Sequence, residues 1–196
     1  MPLPDFRDAN EPIGNIGTIG DFWRWAMSDL IGNRNRGILA EFMVGKLLGA
    51  DFSHPRLEWD CYDLEYRGYR IEVKSSSTLQ SWHTSPDQRS TLSFGIATHG
   101  CWDARTNSNN LEKKRHAHLY VFCVFPMKAE ATPADVLNLD QWQFYATTTQ
   151  HLEAHFTPEI AQTTAQIGIA RVRAICGDAL SHTQLKPFVD HLLESM

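Results

Sequence analysis

The sequence has few cysteines, no long apolar segment and no surplus of positive charge. Its four cysteines, at positions 61, 101, 123 and 176, lack the CxxC spacing of a zinc ribbon. This scattered placement predicts reduced thiols and a cytoplasmic protein. No apolar run is long enough to cross a membrane, and the opening MPLPDFRDANEP has no signal-peptide pattern. We therefore expect a globular protein that does not associate with membranes.

Several catalytic signatures are also missing. The glycine-rich stretch at residues 14–20 (GNIGTIG) lacks the Gly-Lys-Ser/Thr of a phosphate loop and follows no predicted strand. No Gly-x-Ser-x-Gly sequence is present, which excludes the common hydrolase elbow. His151 and His155 have the spacing of a zinc-binding helix, but Leu152 stands where a metalloprotease has glutamate. A surface helix is the better interpretation of that pair.

The charge balance is unusual for a protein that binds nucleic acid. The formal net charge is −5, whereas dedicated nucleic-acid-binding domains are normally basic. Basic residues do cluster locally at Arg34/Arg36, at Arg67/Arg70 and at residues 113–115 (KKR). We expect the last cluster to lie in a solvated loop, with phosphate contact as the alternative.

Residues 57–76 predict a β-hairpin. Two segments, 57–66 (LEWDCYDLEY) and 69–76 (YRIEVKSS), are rich in strand-forming residues, and the Arg-Gly pair at 67–68 is a turn signal. If those two residues form the loop, Tyr66 pairs with Tyr69. Alternation along each strand then places apolar side chains on one face of the hairpin and charged side chains on the other.

This register places two carboxylates opposite each other. Asp63 pairs with Glu72, and Lys74 lies on the same face as Glu72. Like charges directly across a ladder are destabilising, and a divalent cation would offset the repulsion. Hard oxygen ligands suit Mg²⁺ or Mn²⁺, and Lys74 could orient or deprotonate a water beside such an ion. The alternative is a pair of solvated carboxylates at a sheet edge with Lys74 as a neighbouring ion pair.

A glutamate in an apolar helix adds a third carboxylate. Residues 37–49 (GILAEFMVGKLLG) predict a helix that stops at Gly49, and Glu41 lies on its apolar stripe. A carboxylate in that position is unfavourable unless a cation or metal accompanies it. The alternative is that Glu41 pairs with Arg34 or Arg36.

Taken in chain order, Glu41, Asp63 and the run Glu72-Val73-Lys74 resemble the core motif of the PD-(D/E)XK nuclease superfamily, which includes restriction endonucleases and Holliday-junction resolvases. The resemblance implies that the three carboxylates bind Mg²⁺ or Mn²⁺, with the Val73 carbonyl as a further ligand. It also implies that Lys74 activates water or stabilises charge.

The motif covers residues 36 to 80 and departs from the family at one position. Tyr62 precedes Asp63, where many members have proline. Asp60 is a rival for the aspartate role, although the predicted register turns it to the apolar face.

The fold implied by the resemblance is α/β, a restriction endonuclease-like mixed β-sheet flanked by helices. We expect a single domain over residues 19–196 after an irregular arm at residues 1–18. The implied function is a metal-dependent nuclease that hydrolyses phosphodiester bonds, with DNA as the leading substrate. Arg36, Ser76 and Gln80 are the candidate substrate contacts. The alternative is a catalytically inactive module on the same fold that binds nucleic acid or protein, as a homodimer or with a partner subunit.

Other segments predict further elements of the sheet and its cover. Phe22, Trp23 and Trp25 are expected in the core or at a dimer contact. The remaining predictions are helices at 19–31 and 182–195, strands at 91–98, 117–126 and 142–148, a late edge strand or short helix at 167–175, and a mobile loop at 99–116.

Overall fold

The computed structural model describes residues 4–58, 60–85, 87–103, 108–126 and 133–196, which form one α/β domain with a four-stranded mixed sheet at its centre. Its helices are α1 (Ile19–Met27), α2 (Asn33–Leu48), α3 (Thr149–Ala154), α4 (Pro158–Thr163), α5 (Ile169–Cys176) and α6 (His182–Glu194). Its strands are β1 (Leu64–Tyr66), β2 (Tyr69–Ser77), β3 (Ser93–Gly95), β4 (His99–Asp103), β5 (Ser108–Lys114), β6 (Leu119–Phe125), β7 (Gln143–Thr148) and β8 (Gln166–Gly168).

The central sheet has the strand order β1-β2-β6-β7. Strands β2 and β6 are parallel, and the other two pairings are antiparallel. Strand β6 is buried along its whole length, which confirms the central strand predicted at 117–126. A parallel pair needs a long connection, and the chain between β2 and β6 supplies it and also carries β3, β4 and β5.

Both faces of this sheet are covered. On one face, Ile71 and Val73 pack in a core that includes side chains of α2 and α6. On the other face, Tyr120 and Phe122 pack with side chains of β3, α3 and α5. Because strand side chains alternate, Glu72 is directed to this second face and is buried there, only 8% exposed.

The predicted hairpin register is confirmed where β1 and β2 pair. Tyr66 lies opposite Tyr69, and Leu64 lies opposite Ile71. Arg67 and Gly68 form the turn with φ values of 52° and 80°, the left-handed pair that a two-residue hairpin loop requires. The first strand is shorter than predicted, because regular pairing begins only at Leu64.

The two helices that flank the first face were predicted closely. Helix α2 begins four residues earlier than the predicted segment at 37–49, and it ends where predicted, before Gly49. Gly49 adopts φ 82° and donates its backbone N–H to the Gly45 carbonyl, 3.0 Å away, which closes the helix. Helix α6 confirms the prediction at 182–195.

Two other predictions need correction, and a third is met in both of its alternatives. The segment 99–116, expected to be a mobile loop, forms the hairpin β4–β5, with residues 104–107 outside the described part. Both alternatives for 167–175 are present, since β8 runs directly into α5. Helix α1 ends at Met27 and has no buried residue, so its aromatic side chains are not in the core, and Trp25 is 83% exposed. A dimer contact through them stays a prediction.

The prediction of reduced thiols is wrong for one pair of cysteines. Cys61 and Cys101, which lie 40 residues apart, form a disulfide, whereas Cys123 and Cys176 are free. The connection between β2 and β6 brings β4 back beside the segment that precedes β1. The spacing of the cysteines along the sequence could not show this proximity. The cytoplasmic location inferred from reduced thiols loses that support. Among the described residues, no helix has both the length and the apolar character needed to span a membrane.

Candidate functional site

The structure brings Glu41, Asp63 and Glu72 together at the end of the hairpin. Asp63 directly precedes β1, Glu72 lies in the middle of β2, and Glu41 extends from the third turn of α2. The negative charges of Glu72 and Glu41 both act on Asp63. Three carboxylates from separate elements therefore share one electrostatic environment, as the resemblance implied.

Asp63 is fixed by backbone contacts to β2. Its Oδ2 atom accepts a hydrogen bond from the Val73 backbone N–H at 2.7 Å, and its own N–H donates to the Ile71 carbonyl at 3.1 Å. Burial raises the pKa of Asp63 to about 8, with Glu72 and Glu41 adding to the shift. The Val73 N–H and Lys74 act in the opposite direction but do not cancel it. Burial and the neighbouring carboxylates thus favour the protonated form of Asp63 when no metal is bound.

Glu72 and Lys74 form an ion pair on the same face of β2. The Lys74 Nζ atom donates to Glu72 Oε1. Burial alone would lower the pKa of Lys74, but the negative charges of Glu72, Asp63 and Glu41 outweigh it, and the pKa is raised. Lys74 is therefore an ammonium in the metal-free protein, which favours orienting a water or stabilising charge over accepting a proton.

Glu41 has a partner that sequence reasoning missed. Arg56 donates hydrogen bonds to both of its carboxylate oxygens, from Nη2 to Oε1 at 2.9 Å and from Nε to Oε2. The expected alternative partners, Arg34 and Arg36, do not make this contact; Arg34 lies 3.8 Å from Glu58 instead. Arg56 belongs to an irregular segment without hydrophobic periodicity, so no local pattern could identify its partner.

A cavity of about 750 Å³ opens beside these groups. Glu41, Asp63 and Arg56 line it, together with the irregular segment after α2 and one side of the hairpin. Glu72 and Lys74, on strand β2, do not line the cavity. The carboxylates of Glu41 and Asp63 can thus be reached by a ligand that enters from the cavity.

The Val73 carbonyl is directed to the same side. In a strand, the N–H and C=O of one residue point the same way, and the Val73 N–H points to Asp63. This placement is compatible with the ligand role that the resemblance implies for Val73.

The candidate substrate contacts lie inside the protein. Arg36 is only 2% exposed and donates to Gln80 Oε1 at 3.3 Å. The Gln80 amide donates in turn to the Ser77 carbonyl at 3.0 Å. Ser76 is also buried, and its hydroxyl accepts from the Ser93 N–H at 3.2 Å. In this structure, Arg36, Gln80 and Ser76 connect α2, β2 and β3 to one another.

The basic cluster at residues 113–115 also differs from expectation. Its first two residues end β5, but the Arg115 side chain is buried rather than solvated. Its guanidinium donates to the carbonyls of Ile96 and Ala161, both at 2.8 Å, and to Glu153 at 3.1 Å. Arg115 therefore stabilises the packing of the second face.

The ligand types are those that hard divalent cations prefer, but among the described residues the carboxylate oxygens of Glu41, Asp63 and Glu72 do not all lie within 4.8 Å of one another. If every group is ionised, Glu41, Asp63 and Glu72 carry three negative charges against the two positive charges of Lys74 and Arg56. A partly buried site with a net negative charge and carboxylate oxygens is typical of Mg²⁺ or Mn²⁺ binding. No family model matches this chain, and no curated protein matches it either.

Proposed function

We propose that the protein is a metal-dependent nuclease that hydrolyses phosphodiester bonds, with DNA as its leading substrate. The observation that carries this proposal is that Glu41, Asp63 and Glu72, from three separate elements, lie near enough to one another and to the ammonium of Lys74 to raise the pKa of Asp63. A restriction endonuclease-like fold is part of the same proposal. The mixed sheet between α2 and the second-face helices supports it.

In this mechanism Asp63 and Glu72 would hold Mg²⁺ or Mn²⁺, with the Val73 carbonyl as a further ligand and with Glu41 as another if it were free of Arg56. The bound cation would lower the pKa of a water and offset charge at the reacting phosphate. Asp63 would bind the cation in its deprotonated form. Lys74 donates hydrogen bonds that orient the attacking water or stabilise the charge that develops on the phosphate.

Cleavage assays with purified variants test the proposal. Supercoiled DNA, linear duplex, single-stranded DNA and RNA are incubated with Mg²⁺, with Mn²⁺ or with a chelator. We expect metal-dependent cleavage of at least one substrate, abolished by Asp63→Ala, Glu72→Ala and Lys74→Ala. Asp178→Ala removes an exposed carboxylate far along the chain and should retain cleavage. Cleavage that persists in the Glu72→Ala protein would overturn the mechanism.

The bidentate ion pair between Arg56 and Glu41 favours a second candidate function, that of an inactive module that binds nucleic acid or protein. A guanidinium that permanently neutralises Glu41 would leave a weaker cation site. Thermal melting with Mn²⁺ separates the two functions. Saturable stabilisation of the wild type, absent from the Asp63→Ala/Glu72→Ala double variant, supports the nuclease. Unchanged melting in both proteins, with retained binding of a labelled duplex, supports the binding module.

A further inference from the structure

A second group of potential metal ligands lies close to the carboxylate site but is chemically different from it. Cys61, Cys101 and His116 each offer a ligand atom, and these atoms lie within 4.8 Å of one another. They come from three parts of the chain: the segment before β1, strand β4, and the segment before β6. Cys61 is 6% exposed and His116 is 4% exposed, so two of the three are shielded from solvent.

The hydrogen bond of His116 prepares the ring for metal binding. Its Nε2 atom lies 2.8 Å from the His99 carbonyl oxygen. A carbonyl only accepts, so Nε2 carries the proton, and Nδ1 keeps the lone pair that a metal needs. Metal-binding histidines commonly donate their other N–H to a backbone carbonyl in this way, which fixes the tautomer and the ring orientation.

His99 is a candidate fourth ligand, and its side chain would have to move to join the three ligand atoms that already lie within 4.8 Å of one another. Its ring centroid lies 5.6 Å from that of His116, and it lines a cavity of about 520 Å³ together with Cys101. The His99 Nδ1 atom lies 3.2 Å from the Gly100 carbonyl, so its proton is on Nδ1 and its Nε2 lone pair is available. Two cysteines and two histidines form a common tetrahedral zinc site.

We propose that the reduced protein binds Zn²⁺ through Cys61, Cys101 and His116, with His99 as the fourth ligand. Thiolate and imidazole ligands select zinc, whereas the nearby carboxylates suit hard cations. The inference goes beyond the proposed nuclease and does not depend on it. Because Cys61 lies two residues before Asp63, zinc would fix the β4–β5 hairpin to the segment that leads into the carboxylate site.

The disulfide and the zinc site use the same two sulfur atoms and therefore exclude each other. A phosphine reductant transfers two electrons to the disulfide, takes its oxygen from one water and becomes a phosphine oxide. The two protons from that water bind to the two sulfur atoms, which become thiols. Zinc then binds the two thiolates and releases both protons to the solvent.

Zinc uptake by the whole protein tests the proposal. Reduced wild-type protein is loaded with Zn²⁺, freed of excess metal, and analysed for bound zinc by mass spectrometry under native conditions. Loading with Co²⁺ gives the visible absorption of tetrahedral cobalt with thiolate ligands. We expect a single zinc ion in the reduced wild type and none in the oxidised wild type. The two samples have the same sequence, so a difference between them cannot come from a substitution that prevents folding.

Variants identify the ligands. Cys61→Ser, Cys101→Ser and His116→Ala should lose zinc and the cobalt spectrum, and His99→Ala should weaken zinc binding because it removes the fourth ligand. Cys176→Ser, which alters a free cysteine elsewhere, should bind as the wild type does. Asp63→Ala should also keep zinc, which separates this site from the proposed nuclease site. Equal zinc in reduced and oxidised wild type, or none in the reduced protein, would overturn the proposal.

Discussion

Arg56 occupies both carboxylate oxygens of Glu41, in the place where the resemblance implies a metal ligand. A divalent cation at the proposed site would therefore compete with the guanidinium for the same side chain. Glu41 is almost fully buried, so it requires one positive partner or the other. This competition makes Arg56 the residue whose removal most directly reports on the carboxylate site.

Arg56→Ala should lower stability without metal and increase the response to metal. Breaking the pair leaves Glu41 buried and alone, which we expect to cost on the order of 2 kcal/mol. The figure lies below that of a fully buried pair because the Arg56 side chain is 34% exposed. Added Mn²⁺ should then raise the melting temperature more in the variant than in the wild type.

Arg34→Ala provides the control, because Arg34 is an exposed arginine that only approaches Glu58 at 3.8 Å. Its melting temperature should match that of the wild type with and without Mn²⁺. If Mn²⁺ stabilises Arg56→Ala and the wild type equally, the cation does not compete with Arg56 for Glu41.

Metal affinity should rise with pH up to about 8, the pKa to which burial and the neighbouring carboxylates raise Asp63. A cation must displace the Asp63 proton below that pH, so affinity should increase by about tenfold per pH unit and then level off. Calorimetric titration in two buffers of different ionisation heat would measure the released proton. A pH-independent affinity would show that Asp63 is not a ligand.

The same pKa predicts how the stability of the metal-free protein depends on pH. As pH rises from the ordinary aspartate pKa of 3.8 toward about 8, the unfolded chain releases this proton before the folded chain does. The free energy of unfolding should therefore fall across that window. Asp63→Asn cannot titrate, so its urea-unfolding curves should lack this component of the pH dependence. A decline that is identical in Asp63→Asn would assign it to other groups.

Lys74→Met should greatly slow cleavage but keep metal binding. The ammonium pairs with Glu72, so its loss removes a charge that opposes the cation while the carboxylates remain. We expect cleavage to fall by about 100- to 1000-fold, the range for losing one stabilising donor, with Mn²⁺ affinity unchanged or higher. Single-turnover cleavage and a Mn²⁺ titration of the same preparation measure both.

Lys114→Met is a matched control, because Lys114 pairs with Glu112 at the same two-residue spacing on an exposed strand. It should cleave and bind Mn²⁺ as the wild type does. Parallel loss of cleavage and Mn²⁺ binding in Lys74→Met would show that Lys74 maintains the site rather than acts in the reaction.

Sequence periodicity was sufficient to predict the hairpin and α2. The side-chain period of a strand is two, so a turn fixed at Arg67 and Gly68 determines the pairing from Tyr66–Tyr69 to Leu64–Ile71. Asp63 lies just beyond the last of these pairs, which leaves it near Glu72. The position of Gly49 likewise determined the end of α2, because glycine readily adopts the left-handed conformation that closes a helix.

Contacts made by irregular or polar segments could not be predicted in this way. Arg56 and Cys61 lie outside regular elements, and their partners are brought to them by the path of the chain. Strands β4 and β5 are largely polar, so they lack the alternation that identifies a half-buried strand. Helix α1 has helical spacing of aromatic residues, but spacing does not show whether another surface covers them.

Reduction of the disulfide should destabilise the protein in the absence of zinc. The bond joins residues 40 apart, and releasing a loop of that length increases the entropy of the unfolded chain by an amount equivalent to about 3–4 kcal/mol. Urea unfolding of oxidised and reduced protein, both with a chelator, measures the difference. Cys176→Ser should show the same difference, because it leaves this pair intact. Coincident curves would mean that the β4–β5 hairpin is held by packing alone. Recovery of the reduced protein on adding Zn²⁺ would mean that metal replaces the covalent link between the same two segments.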